Sequence, residues 1–377
     1  MNITIITYWH DPRFKKKKGG LIRMFSLADN LTKLGNDVTM ILPKLGFPKE
    51  QTIARVIEIP FVDVPMLRPI SFHFLSSLYL LWRLKNASFI YVRQMNSFLP
   101  LLIARLYGTP SVYEIPNDPF LAYESSKFMR RIFQILTDKA AMNLAHRIVV
   151  LSEWSKKRLS QIGGITPSKI VVTPSGTDTN LFKPLDKIQC CTEIGLDPSP
   201  VYIGYAGSFF DYEGVDVLID SAPYILAKCR NVKFLLVGDG PMISDWTARI
   251  SSKGLQDSFT FTNRVPYAQV HKYINAMDIC VAPHHKETSQ ASPVKLFDYM
   301  ACGRPIVASD IDVVREIIGN SECALMVAPE TPYDLAQALI YLIENEKSRE
   351  DMGRKGRTYV VSHYDRENIT RNLITYM

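Results

Sequence analysis

The chain has 377 residues, 47% of them hydrophobic and 21% charged, which excludes a disordered, collagen-like or low-complexity protein and, at about 150 residues per domain, suggests two domains. Six cysteines, of which only Cys190 and Cys191 are close together, provide neither a disulfide framework nor C-x-x-C zinc spacing, so a reducing compartment is expected. The net charge of +7 divides into a first half (residues 1–187) with 26 Lys+Arg against 13 Asp+Glu, and a second half with 18 against 24; the basic half points to an anionic partner such as a phosphorylated lipid, a membrane surface or nucleic acid.

The opening residues, MNITIITY, lack the basic start and long apolar run of a signal peptide and read as a strand, so a cytoplasmic location is expected. No stretch reaches 18 uninterrupted apolar residues. The nearest, residues 72–84, is shorter and contains Arg83, so the chain is not expected to span a membrane.

A strand over Ile3–Tyr8 leads through the basic loop Lys15–Lys18 and Gly19-Gly20 into an amphipathic helix over Leu21–Leu34 and a strand over Asp37–Leu42, a β-loop-α-β unit of a parallel sheet. Strands follow over Val56–Ile59, Phe89–Val92, Ser111–Ile115 and Arg147–Leu151, with helices over Met95–Tyr107 and Lys127–Ala145. The Pro-, Gly- and Thr-rich stretch Thr173–Pro184 interrupts this alternation and marks a boundary. The second half repeats the architecture, with strands over Val201–Tyr205, Lys233–Val237, Phe259–Thr262, Ile279–Ala282, Pro305–Ser309 and Ala324–Val327, and helices near 215–228, 268–275, 295–301, 312–318 and 332–345. The expected fold is α/β, two Rossmann-like, doubly wound parallel-sheet domains facing a cleft. Ligands of such sheets lie beyond the carboxyl ends of the strands.

Neither a phosphate-binding G-x-x-x-x-G-K-[ST] nor a G-x-G-x-x-G after the first strand is present. Asp310 and Asp312 form a D-x-D pair that reads either as a cation site or as ordinary helix-start charge. The most informative segment is PVKLFDYMACGRPIV, residues 293–307, which describes a short packed helix ending at Gly303 and carrying Lys295 and Asp298 three residues apart. That pair is either a surface salt bridge or a carboxylate for vicinal ribose hydroxyls beside a lysine and helix-start amides for a diphosphate.

Residues 292–307 resemble the donor-binding signature of family-4-like, group 1 glycosyltransferases, whose GT-B fold consists of two Rossmann-like domains. Supporting matches span most of the chain: Gly19-Gly20 before a helix, AHRIVVLSEW (145–154), VTPSGTDTNLF (172–182), GYAGSFFDYEGVD (204–216), LVGDGP (236–241) and FTNRVP (261–266). The resemblance implies an acceptor domain over 1–182 completed by a C-terminal helix over about 359–377, and a nucleotide-sugar domain over 183–358. It implies transfer of a sugar from a nucleotide-sugar donor, with UDP- or GDP-sugar expected, to a hydroxyl acceptor with retention of configuration and without a metal or other cofactor. By the same resemblance Asp298 takes the place of the carboxylate that binds ribose, and Gln290 that of a glutamate near the transferred sugar. Ser208 and Glu213 stand where the family usually has a basic pair, so the diphosphate is assigned to Lys295, Arg264 and the backbone of Ala291, Ser292, Pro293 and Val294, with Gly207 and Ser208 alongside.

In the first half Glu114, Asn117 and Asp118 follow a strand in a loop resembling the E-V-N-x-P loop of one branch of the family; Glu114 either orients an acceptor hydroxyl or caps the helix that follows. Gly19 and Gly20 allow close approach of a ligand or form a plain turn. His10 and Asp11 read as cleft or solvated loop residues. Lys127, Arg130 and Arg131 beside Phe128, Ile132 and Phe133, together with the aromatic stretch 72–82, suit an anionic membrane or a lipid-linked acceptor. Nucleic acid is not expected, for lack of a recognised module. The competing readings are an epimerase or phosphorylase on the same fold, and a donor-binding relative without catalysis.

Overall fold

The computed structural model describes residues 1–8, 19–44, 52–64, 67–83, 87–95, 97–117, 128–286 and 292–377. It divides into two compact units: Met1–Ser175 with Arg366–Met377, and Gly176–Asp365.

Unit 1 runs β1 (Asn2–Ile6), α1 (Gly19–Lys33), β2 (Asp37–Pro43), β3 (Arg55–Ile59), α2 (Leu67–Arg83), β4 (Phe89–Arg93), α3 (Leu99–Leu106), β5 (Ser111–Ile115), α4 (Phe128–Leu144), β6 (Arg147–Val150), α5 (Glu153–Gln161) and β7 (Ile170–Val172). Unit 2 runs α6 (Lys187–Ile194), β8 (Val201–Ser208), α7 (Val215–Lys228), β9 (Val232–Asp239), α8 (Ile243–Ser252), β10 (Phe259–Phe261), α9 (Tyr267–Ala276), β11 (Ile279–Ala282), α10 (Val294–Ala301), β12 (Ile306–Ser309), α11 (Asp312–Ile318), β13 (Ala324–Val327), α12 (Pro332–Glu344) and α13 (Glu346–His363). The last helix, α14 (Arg366–Ile374), returns to unit 1 and packs on α1.

The described strands form a seven-stranded sheet, β3-β2-β1-β4-β5-β6-β7, and a six-stranded one, β10-β9-β8-β11-β12-β13. All pairings are parallel; Ile5, for example, lies opposite Met40 of β2 and Tyr91 of β4. Helices cover both faces, which is why β4 and β11 are buried along their whole length and read as continuous apolar runs. In unit 1 one face is packed by Leu21, Phe25 and Leu373, the other by Phe72, Leu101 and Met142. In unit 2 the corresponding layers hold Leu296, Met300 and Val314, and Leu218, Trp246 and Leu339. The strand order reverses between β1 and β4 and again between β8 and β11, the two positions where such sheets open a ligand crevice.

The expected elements are present, with instructive differences. The helix expected from Met95 begins at Leu99, with Pro100 in its first turn. Helices α2, α5, α6 and α8 and strand β7 have no counterpart among the elements expected from sequence. The units part at Ser175/Gly176 rather than after 182, because Phe182 lies in the unit 2 core and Thr177 bridges to Asp365. The return begins at Arg366 rather than about 359: Arg357 donates to the carbonyls of Phe182 at 2.8 Å and Ala301 at 2.9 Å, which keeps α13 in unit 2.

Candidate functional site

The loops after β8 and β11 flank the switch point of unit 2, and they meet directly. After Ser208 the chain makes a short turn over Asp211–Glu213 and enters α7 through Gly214, at φ 69°. A Cβ on Gly214 would lie 1.8 Å from the Pro283 carbonyl oxygen, so only glycine fits both the left-handed backbone and the contact with the turn after β11.

That contact places three ionisable side chains in one buried cluster. Glu213, 1% exposed, ion-pairs with the Lys295 ammonium from the first turn of α10, and its Oε2 lies 3.3 Å from His284 Nε2. Lys295 Nζ is 3.2 Å from the same imidazole nitrogen and 5.2 Å from the centre of the Tyr205 ring. Burial pushes the Glu213 carboxyl up, but Lys295 and His284 outweigh it and bring its pKa down to about 2. Burial, then Lys295, holds His284 below the ordinary histidine value. Lysine and glutamate cancel. Lys295, expected from the resemblance to meet the diphosphate, here has a carboxylate partner, Glu213, in the position usually held by a basic residue.

Asp298, one turn further along α10 and 6% exposed, accepts a 2.5 Å hydrogen bond from Thr177 Oγ1. Thr177 is held by its own N–H, which donates to the Tyr364 carbonyl at 3.0 Å. Tyr299 Oη accepts from the Ala206 N–H at 2.7 Å, tying α10 to β8. Pro293 is the N-cap and Val294 the first residue of α10. The buried Ser292 hydroxyl just ahead of that terminus has no hydrogen-bond partner among the described residues. Helix-start amides beside such a hydroxyl are the components of an anion site. Gly207, whose added Cβ would lie 2.9 Å from Lys295 Cε, lets β8 approach the lysine, and exposed Ser208 ends the strand.

Arg264 is not brought to this cluster. It is exposed beyond β10, two strands from β8, or about 10 Å at ordinary strand spacing. Gln290 and Ala291 lie outside the described residues, as do His10, Asp11, Lys15–Lys18, Asp118 and Lys127. Asp310 and Asp312 both pair with Arg315, at 2.5 and 3.3 Å.

In unit 1 Gly19 and Gly20 are the first two residues of α1 rather than a loop before it. Glu114 is fully buried, not at a solvent-facing strand end. Its Oε1 takes Arg93 Nη1 at 2.9 Å, and its Oε2 takes Arg23 Nε at 3.1 Å and the Tyr91 hydroxyl at 2.5 Å. Burial raises the Glu114 carboxyl, and the two guanidinium groups more than reverse this. Arg23 also donates to the carbonyls of Pro174 at 2.8 Å and Thr173 at 3.1 Å. Glu114 is thus an internal counter-ion joining β4, β5, α1 and the end of β7. Asn117 is exposed two residues past β5.

The family described as "Glycosyltransferase Family 4" matches residues 18–181, and "Glycosyl transferases group 1" matches residues 200–345. The chain belongs to the group 1, family 4 glycosyltransferases. The glycosyltransferase is 22% identical over 275 residues to the alpha-D-kanosaminyltransferase of Streptomyces kanamyceticus, covering 71% of this chain and 70% of the relative. Its fold is that of a sucrose-phosphate synthase from Thermosynechococcus elongatus (TM-score 0.79, 18% identity, covering 100% of this chain and 98% of that one). It also matches Anabaena HepE solved in complex with UDP (TM-score 0.80, 17% identity, 100% and 99% covered). These similarities establish the GT-B architecture of the glycosyltransferase.

Proposed function

We propose that the enzyme moves a sugar from a nucleotide-diphosphate donor to a hydroxyl acceptor with retention of anomeric configuration and without a divalent metal. The observation that carries this reading is the start of α10 at the β8/β11 switch point, where a Ser292 hydroxyl with no partner among the described residues stands beside helix-start amides, the groups that bind a phosphate. Asp298 would bind the ribose hydroxyls, with Thr177 fixing the carboxylate. Lys295 would stabilise the departing diphosphate once phosphate oxygens compete with Glu213 for its ammonium, and Gln290 would face the transferred sugar.

In this scheme the bond from the anomeric carbon to the diphosphate oxygen breaks as the acceptor oxygen attacks from the same side, and the leaving phosphate takes the acceptor proton. Charge stabilisation and alignment then supply most of the rate. A solved neighbour holds UDP, which puts UDP-sugars first in the search. The acceptor is proposed as a glycan, a small molecule or a lipid-linked hydroxyl.

The test is thermal stabilisation by a panel of UDP-, GDP-, ADP- and dTDP-sugars, with and without magnesium, followed by turnover with the donor that shifts the melting temperature. An α-donor giving an α-product by NMR, undiminished by a chelator, supports the proposal. An inverted product or strict metal dependence refutes the corresponding part of it, and product formed with no acceptor, or with phosphate as acceptor, makes the protein an epimerase or phosphorylase.

A further inference from the structure

Helix α2 is apolar on its outer side as well as on the side that packs on the core. Its inward side carries His73, Ser76 and Ser77 between Phe72 and Leu80. Its outward side, at helical spacing, carries Ile70 (60% exposed), Phe74, Leu78 and Trp82 (74% exposed). A helix of a water-soluble domain normally buries its more apolar stripe. Helix α4 shares the pattern, with Thr137 and Asp138 inward and Phe133 and Leu136 outward.

The two helices are parts of one layer. Helix α3 packs against both α2 and α4, the Tyr107 hydroxyl reaches the Leu81 carbonyl at 3.4 Å, and all three helices sit on the same core beneath. The outer side of this layer, extended by Leu106 on α3, therefore exposes a group of large apolar side chains of a kind that ordinary monomers do not leave to water.

Charge identifies the occupant. The three helices contain six Lys or Arg and one carboxylate, Asp138. That carboxylate is buried under the Tyr113 hydroxyl at 2.6 Å and Gln94 Nε2 at 2.7 Å, so it does not oppose the cations outside. Exposed Arg105, Arg131 and Lys139 border the face. At its lower end Arg105 stands near Lys169 and Arg147, close enough that, after burial, these cations depress the His146 pKa. Arg68 is offset by Asp63 at 2.5 Å. A second copy meeting this face two-fold would set cation against cation. An anionic bilayer meets both features: acyl chains for the apolar stripe and headgroups for the rim, with Trp82 and Tyr79 at the boundary. No helix among the described residues is long and apolar enough to cross a membrane, so the contact is one of lying on the surface.

We infer that the outer face of α2, α3 and α4 docks unit 1 on an anionic lipid bilayer. The docking does not depend on the proposed transfer reaction, and its test needs no turnover. Full-length protein is floated with phosphatidylcholine vesicles, with and without phosphatidylglycerol, at low and high salt. Wild type is expected to float with the anionic vesicles at low salt. The exposed-face variant Phe74→Glu/Trp82→Glu should lose about tenfold or more in partitioning, and Arg105→Glu/Lys139→Glu should lose the preference for anionic lipid, both with an unchanged melting temperature and circular dichroism spectrum. Wild type that stays with the aqueous fraction in every mixture overturns the inference, as does flotation equal in wild type and the folded variants. A dimer in solution that the Phe74→Glu/Trp82→Glu change abolishes, with no vesicle binding, assigns the face to a second copy instead.

Discussion

Glu213 and Lys295, 82 residues apart in sequence, form a buried ion pair that joins the turn after β8 to the first turn of α10. Removing one partner leaves a charge with no water around it. Lys295→Met should therefore destabilise unit 2 by about 3–5 kcal/mol, whereas Glu213→Gln/Lys295→Met should recover more than half of that loss. Urea unfolding of the two single variants and the double variant measures the coupling, and additive losses would contradict a paired role.

The same pair sets an acid limit. The folded Glu213 carboxyl, at about 2, lies below its ordinary value, so its contribution is complete above about pH 4.5 and is lost as pH falls through about 2. Glu114, also depressed, acts in the same direction. Stability followed against pH should fall below about pH 4.5 in wild type, and more shallowly in Glu213→Gln. Identical slopes would remove Glu213 from the account.

Glu114 is a structural carboxylate in this geometry. Glu114→Ala strands Arg23 and Arg93 and should cost about 3–5 kcal/mol, seen as a large drop in melting temperature. A variant with wild-type stability and a collapsed kcat would instead mark Glu114 as a reacting group.

At Gly214 an alanine meets both a left-handed backbone and the Pro283 carbonyl. Gly214→Ala should cost at least about 2 kcal/mol and alter nucleotide binding, because the displaced turn carries Glu213, which competes with phosphate for Lys295. Calorimetric titration with the nucleotide selected by the donor panel checks the second effect; unaltered binding would uncouple the turn from the donor.

Asp298→Ala should raise the donor KM about tenfold, the worth of one charge-assisted hydrogen bond. Thr177→Val, which only loosens the carboxylate, should change it less than about threefold. Equal effects would mean that Asp298 serves packing rather than the ribose.

Much of the fold was legible because its signals are local. Buried strands of a parallel sheet appear as short apolar runs, and the helices between them as periodic stripes, so β4, β11 and α7 could be read in place. The position of α10 was legible from residues 293–303, where Pro, an apolar stripe and Gly303 follow one another. Local signals fail where two distant segments decide the outcome. Glu213 and Lys295 were each visible, and their opposite signs were the available hint, but nothing local brings residues 82 apart to one turn. Glu114 at the end of an apolar strand looks like a loop carboxylate until Arg23 and Arg93 arrive from two other elements. His284 was overlooked because a histidine after a strand carries no period.

The sequence by itself determined the alternating α/β architecture, two units and the motif segment at the switch point, since these depend on short-range hydrophobic spacing, turn residues and the family signature. Only the tertiary structure decided which charges are neutralised and which side of α2 faces water. An apolar stripe specifies that a helix has a greasy face; the neighbours that pack against the other face determine where it points.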